Sequence, residues 1–157
     1  MRFALPPGSR MADGGGYKGR SRELTKAEFL ASAAEILGLP EPHCVNLLGI
    51  TELTSLFFDN VLAEAPAGGQ PARHKTNAPW TRTRAVDPET LAILPAGETG
   101  LLRHWDLANI ASVAVLQTDD LGMQVGPGFE VLGRAQGAEL RGCSLAMEQF
   151  LEARGGD

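Results

Sequence analysis

The sequence predicts a mixed α/β (α+β) chain in which a partial helix-covered sheet is followed by a small antiparallel β-subdomain. Three observations predict it. Residues 25–37 carry one helix-periodic apolar face, and a short apolar run follows at 44–48. From Trp80 onward the texture changes to short alternating segments separated by turn residues. Nineteen glycines and ten prolines among 157 residues favour many strands and turns over a helical bundle.

Composition narrows the function classes. A hydrophobic content of 43% suits one ordinary domain with a real core. A formal net charge of -5, from 14 basic and 19 acidic residues, gives no support for a nucleic-acid surface, and no Lys/Arg block follows residue 22. No apolar run approaches the ~18 residues of a membrane span, and the N-terminus lacks a hydrophobic secretory core. The expectation is a soluble cytoplasmic protein with no nucleic-acid partner and no membrane span. Two cysteines, Cys44 and Cys143, make no disulfide framework and are expected as free thiols.

Residues 1–23, with paired prolines and three consecutive glycines, are expected to form a flexible tail. Residues 24–64 are expected to form a partial α/β layer. Thr25 and Glu28 have the spacing of a capping box, and Leu24 can staple against Phe29. Leu30, Ala33, Ala34 and Leu37 make one face, and Gly38 and Pro40 end the helix. Cys44–Leu48 reads as a buried strand, and Leu53, Leu56, Phe57, Val61 and Leu62 as the face of a second helix. Helix, strand, helix implies a partly parallel sheet.

The junction Gly49-Ile50-Thr51-Glu52 lies at the carboxyl end of a strand, where open α/β sheets place ligands. A hydroxyl and a carboxylate there suit a phosphate and its Mg²⁺. The same two residues also suit a plain helix start, with Thr51 as cap and Glu52 complementing the dipole.

Residues 65–79 form a linker loop that delivers Arg73-His74-Lys75 to no fixed place, and the spacing of His43, Cys44 and His74 matches no structural zinc site. Residues 80–134 are β-rich. Thr81, Thr83 and Ala85 alternate with Arg82, Arg84 and Val86, turns fall at 87–90 and 96–98, and Thr99–Trp105 forms a strand. Val113–Leu116 leads into Thr118-Asp119-Asp120-Leu121-Gly122, where the acids sit at a strand end and the glycine turns the chain away. Gly126-Pro127-Gly128 makes a tight turn before a strand through Phe129, Val131 and Leu132 that ends at Gly133-Arg134. The result is a hairpin with an acid at one end and an arginine at the other. Two readings stand: a surface hairpin with solvated charges, or a carboxylate placed to accept hydrogen bonds from a sugar diol.

These residues carry a resemblance. NLLGITE at 46–52 resembles the Tyr-Gly-x-Thr-Glu motif of adenylate-forming enzymes, TDDLG at 118–122 their Thr-Gly-Asp motif, and GRAQGAELRG at 133–142 the Gly-Arg hinge between their large and small domains. HWDLANIASVAVLQTDDLG followed by FEVLGRAQGAELRGCSL resembles the end of acyl-protein synthetases of the bacterial bioluminescence type, with phenylacetate-CoA ligases more distant. GGGYKG at 14–19 and HKTNAPWTRTRAVDPETL at 74–91 fit the same family.

The resemblance implies a truncated piece of an adenylate-forming large domain, with residues 135–157 as the hinge and the start of an incomplete C-terminal domain. It implies the C-terminal portion of a ligase that uses ATP and Mg²⁺ to activate a long-chain fatty or other carboxylic acid and passes the acyl group to a thiol. Leu48 and Gly49 would lie beside adenine, although leucine replaces the usual tyrosine and loses its stacking. Thr51 would contact phosphate, Glu52 the Mg²⁺, Asp120 the ribose hydroxyls, and Arg134 the same ribose from the hinge. Gln136 stands where an acid is common. Cys143, within RGCSL, would receive the acyl group, with Arg141 and Ser144 favouring its thiolate; from composition alone it is equally a small buried hydrophobe. None of Lys18, Lys26 and Lys75 matches the family's catalytic lysine. The partners implied are a carboxylic acid, a thiol acceptor or reductase-type protein, and a complementary chain, second copy or N-terminal segment covering the edge of the 44–48 strand.

The isolated chain is expected to show negligible adenylation. The rival reading is a non-enzymatic, degenerate nucleotide-binding or scaffold domain that acts with a partner.

Overall fold

The structure, a computed structural model, describes residues 2–3, 5–14, 24–64 and 72–135. The first helix is as the sequence predicts. Helix α1 spans Lys26–Leu37; Thr25 Oγ1 accepts from the Glu28 amide at 3.2 Å and the Glu28 carboxylate accepts from the Thr25 amide at 2.8 Å. Gly38 ends it in the left-handed conformation at φ 67°, donating its N–H to Ala34 O at 3.0 Å. Its buried face is Ala33, which packs with Leu39 and Cys44 under Met11, Leu30 and Leu37.

Cys44–Gly49 forms strand β2, in the centre of a three-stranded sheet. Its parallel neighbour is β1, Met11–Gly14, within the stretch expected to be a flexible tail. The correction has a physical cause. β2 begins with two buried residues whose backbone groups must be paired, and the side chain of Asn46 anchors the incoming strand by donating to Asp13 O at 3.2 Å and Asp13 Oδ2 at 2.6 Å. A four-residue strand held this way leaves almost no pattern in the sequence.

The second helix expected over 53–62 does not form. Leu56–Phe58 is strand β3, antiparallel to β2, and only Val61–Glu64 is helical, as α2. The positions 53, 56, 57 and 61 fit a helix face, but the chain buries Phe57 between exposed Leu56 and Phe58, a period of two. The parallel partner of β2 is therefore the N-terminal strand, and both edges of β2 are filled from within this chain.

The β-rich part is a four-stranded antiparallel sheet in the order β4 (Thr81–Val86), β5 (Gly100–Asp106), β6 (Val115–Val125) and β7 (Gly128–Arg134). Its inner face joins the first sheet through buried Phe57, Leu102 and Phe129, with Leu48, Ile50, Leu53 and Val131 around them. Phe57 and Phe129 meet edge to face with centroids 5.2 Å apart. Full burial of each such ring contributes roughly 1.5–3 kcal/mol.

Residues 72–78, placed in the linker by sequence, are the strut between the sheets. The Lys75 amide donates to Phe129 O at 2.7 Å, the Phe129 amide donates back to Lys75 O at 3.0 Å, and the Thr76 amide reaches Phe58 O at 2.9 Å. Beneath the strut lies buried Asp59, which accepts from Arg73 at 2.8 Å and Lys75 at 3.0 Å. Among the described residues no helix is long and apolar enough to cross a membrane.

Candidate functional site

Two groups of sequence-predicted residues are built by these elements. Thr51 and Glu52 form an exposed turn between β2 and β3, closed by the Leu53 amide donating to Ile50 O at 3.0 Å. No helix begins there, so the reading of Thr51 as a helix cap and Glu52 as a dipole partner is overturned. A hydroxyl and a carboxylate face solvent at the carboxyl end of β2. Leu48 and Gly49 lead into that turn; Leu48 packs against the Phe57-Leu102-Phe129 cluster, and Gly49 pairs with Leu56.

The second group lies on β6 and β7. The expected turn at Gly122 is absent, because β6 runs on through Thr118–Gly122 to Val125. Gly122 is required for another reason: a Cβ there would lie 2.2 Å from Glu130 O and 2.9 Å from a Leu102 methyl. The acids instead occupy a bulge. Leu101 pairs with Leu121 and Arg103 with Gln117, so Thr118–Asp120 lie opposite Leu102 alone. Thr118 Oγ1 fastens the bulge by donating to Leu102 O at 3.3 Å and accepting from the Asp120 amide at 3.2 Å.

Asp120 pairs in register with Arg134 across β6 and β7. The Arg134 guanidinium lies 3.8 Å from Asp120 Oδ1 and 3.3 Å from Asp119 Oδ2. Alternation along β6 puts Asp120 on the face of Leu116 and Thr118, the face that meets the first sheet, and Asp119 on the other. The Asp120 side chain is 20% exposed and that of Asp119 60%. Asp120 is thus the more buried of the two acids. A surface hollow of about 580 Å³, lined by Trp80, Arg82, Arg84 and Trp105, opens on the opposite face of this sheet.

The sequence reading missed the residues that tie the Thr51–Glu52 turn to the second sheet. Asp106 Oδ2 accepts from the Ser55 amide at 2.8 Å and Oδ1 from the Ser55 hydroxyl at 3.0 Å; Asn109 Nδ2 donates to Glu52 O at 2.8 Å. Their only sequence signal is an Asp–x–x–Asn after a strand, an ordinary turn pattern. The fit to Mg²⁺ is limited but adequate. Among the described residues no group of three His, Cys, Asp or Glu side chains gathers to cage an ion, whereas Mg²⁺ held chiefly by substrate phosphates needs only one or two carboxylates. Cys143 and Gln136 lie outside the described residues.

Comparison with known proteins places the chain in a family and its fold among solved structures. The family model for acyl-protein synthetase, LuxE, matches residues 1–152. A long-chain-fatty-acid--luciferin-component ligase of Vibrio harveyi is 29% identical over 151 residues, covering 90% of this chain and 37% of the ligase. The chain thus spans little more than a third of the length of that relative. ATP-bound MatB from Rhodopseudomonas palustris superposes with a TM-score of 0.53 at 20% identity, over 80% of this chain and 25% of MatB. McyG A-PCP complexed with phenylalanyl-adenylate gives 0.54 at 19% identity, over 82% of this chain and 22% of that one. The fold is that of a part of an adenylate-forming enzyme.

Proposed function

Because this chain belongs to the LuxE acyl-protein synthetase family, we propose that it supplies the ribose and phosphate side of an ATP-dependent site that activates a long-chain fatty acid as its acyl-adenylate. The observation that carries this reading is Asp120, a half-buried carboxylate set on a bulge with Arg134 directly across the strand pair. Such an acid accepts both hydroxyls of a ribose in charge-assisted bonds. Arg134, already within reach of Asp119 and Asp120, orients the carboxylate and offers donors to the sugar.

Thr51 donates its hydroxyl to a phosphate, and Glu52 would hold the Mg²⁺, which would neutralise phosphate charge. Leu48 and Gly49 border the base. Leucine covers an adenine face by apolar contact but lacks the ring that would stack on it. The Cys143 thiolate then takes the acyl group from the adenylate as a thioester, with AMP leaving, for transfer to a reductase-type or other thiol acceptor, and the reaction is cytoplasmic. Attack of the acid's carboxylate on the α-phosphorus, with pyrophosphate leaving, requires acid and phosphate to be held in line by many donors. The residues here provide one side of that arrangement, so the chain by itself gives negligible adenylation.

The test is titration of the chain with Mg-ATP and with AMP, alongside ATP-pyrophosphate exchange driven by a long-chain fatty acid. Nucleotide binding with little or no exchange supports the reading. Absence of nucleotide binding at millimolar concentration favours a scaffold role for the domain.

A further inference from the structure

Asp106 closes β5 and Asn109 lies on its connection to β6, and both are buried. The sheet does not need their side chains. At that end β5 and β6 are already joined by the Trp105–Val115 pair and by the Asp106 amide donating to Ala114 O at 2.9 Å. The two side chains reach instead across to the β2–β3 turn. Asp106 accepts from the Ser55 amide and hydroxyl, and its remaining bond, from the Ala108 amide at 3.0 Å, fixes its own rotamer. Asn109 donates to Glu52 O and to Val113 O, both at 2.8 Å, and accepts from the Thr54 hydroxyl at 3.0 Å. Trp80 Nε1 adds a third hold on Ser55, donating to its hydroxyl at 3.0 Å.

The six-residue turn packs Ile50 and Leu53 on the core but leaves Thr51, Glu52 and Thr54 exposed, with no side-chain packing to fix them. Here its backbone is clamped on the Glu52 carbonyl and on the Ser55 amide, the two sides of the segment that follows the proposed metal ligand. A buried carboxylate is costly unless its oxygens are satisfied, and Asp106 meets that condition by gripping the turn. We propose that Asp106 and Asn109 are positioning residues for Mg-ATP, acting through the Glu52–Ser55 backbone. The proposal rests on the nucleotide reading above and assigns to the second sheet the task of aiming Glu52.

The test uses the chain itself, by amide hydrogen exchange and nucleotide titration followed by NMR. Asp106→Asn keeps size but sets an amide donor against an N–H, of Ser55 or of Ala108. Asn109→Asp sets a carboxylate oxygen against the Glu52 and Val113 carbonyls. Each is expected to speed exchange of the Ser55 amide and to weaken Mg-ATP binding about tenfold, the loss of one hydrogen bond to a charged group, with ATP binding in EDTA unchanged. Asp106→Asn combined with Glu52→Gln should bind no more weakly than Glu52→Gln alone. Ser55→Ala, a milder change that leaves the core intact, should weaken Mg-ATP in the same metal-dependent way.

Faster exchange with unchanged Mg-ATP affinity in Asp106→Asn and Ser55→Ala overturns the proposal while leaving the nucleotide site standing. A wild-type chain blind to millimolar Mg-ATP, or a Glu52→Gln variant that binds it normally, overturns the nucleotide reading and the positioning role together.

Discussion

Asp120 and Arg134 face each other as register partners on β6 and β7, the guanidinium 3.8 Å from the Asp120 carboxylate and 3.3 Å from that of Asp119. The register of β6 with β7, which shifts at Leu132 between the Leu121–Gly133 and Gly122–Val131 pairs, makes this relationship. Strand alternation gives Asp120 to the inner face and Asp119 to the outer.

Glu52 is expected to act through metal. Glu52→Gln should remove the Mg²⁺ dependence of nucleotide binding and leave the melting temperature nearly unchanged, because the side chain is exposed on a turn and caps no helix. Melting curves with and without Mg-ATP make the comparison; equal ligand-induced stabilisation of wild type and variant would remove Glu52 from the site.

Cys143 is expected to carry the acyl group. In a form of the protein competent to make acyl-adenylate, Cys143→Ser should still exchange pyrophosphate but retain no hydroxylamine-labile label from radioactive fatty acid. Buried Cys44, whose thiol is pushed up by burial despite nearby Arg73, should be dispensable for labelling when changed to serine, at a cost in stability. Persistent thioester in Cys143→Ser contradicts the assignment.

Much of this was legible. The capping box at Thr25 and Glu28, the strand from Cys44, the turn at Gly126 and the hairpin that opposes Asp120 to Arg134 are all set by local chemistry, and local chemistry is what a sequence displays. The errors share the opposite cause. β1 exists because β2 needs a neighbour, Phe57 sits on a strand because Phe129 and His104 wait across the core, and Lys75 is buried because Asp59 is there to receive it. Each depends on a partner distant in the chain. The Asp106–Ser55 clamp is hidden for the same reason, joining residues 51 positions apart.

Asp59 should be a stability determinant. Burial opposes its ionisation, yet hydrogen bonds from Arg73 and Lys75 and the charges of Lys75 and Lys26 hold its carboxyl below the usual range. Lys75 is drawn below the usual lysine range, since its burial outweighs its one close carboxylate. The carboxylate thus has several cations, while Asp59 and the more weakly acting Asp13 do not offset the burial of the ammonium. Asp59→Asn, which leaves Arg73 and Lys75 without that charge, should cost about 3–5 kcal/mol in urea unfolding. The Asp59 contribution is present above pH 3.8 and lost as pH falls through its lower folded value. An unfolding midpoint unmoved by the substitution would contradict the cluster's role.

His104 sets a second pH window. It is fully buried, packs on Phe57 and Phe129, bonds Thr83 Oγ1 at 2.9 Å, and burial pushes its pKa from 6.5 down to about 4. Since the unfolded chain binds the proton more readily, stability should be full above pH 6.5 and fall as pH drops toward 4. The loss between pH 7 and 5 should be about 2 kcal/mol. Urea titrations at both values check it, and His104→Phe should flatten the difference.

The most direct test of the nucleotide site is calorimetric titration of AMP into the wild-type chain and into Asp120→Ala. The wild type should bind weakly and the variant should lose the bonds to the ribose hydroxyls, each worth about 1.5–3 kcal/mol, so that no heat of binding remains. Equal, measurable binding by both would contradict the account.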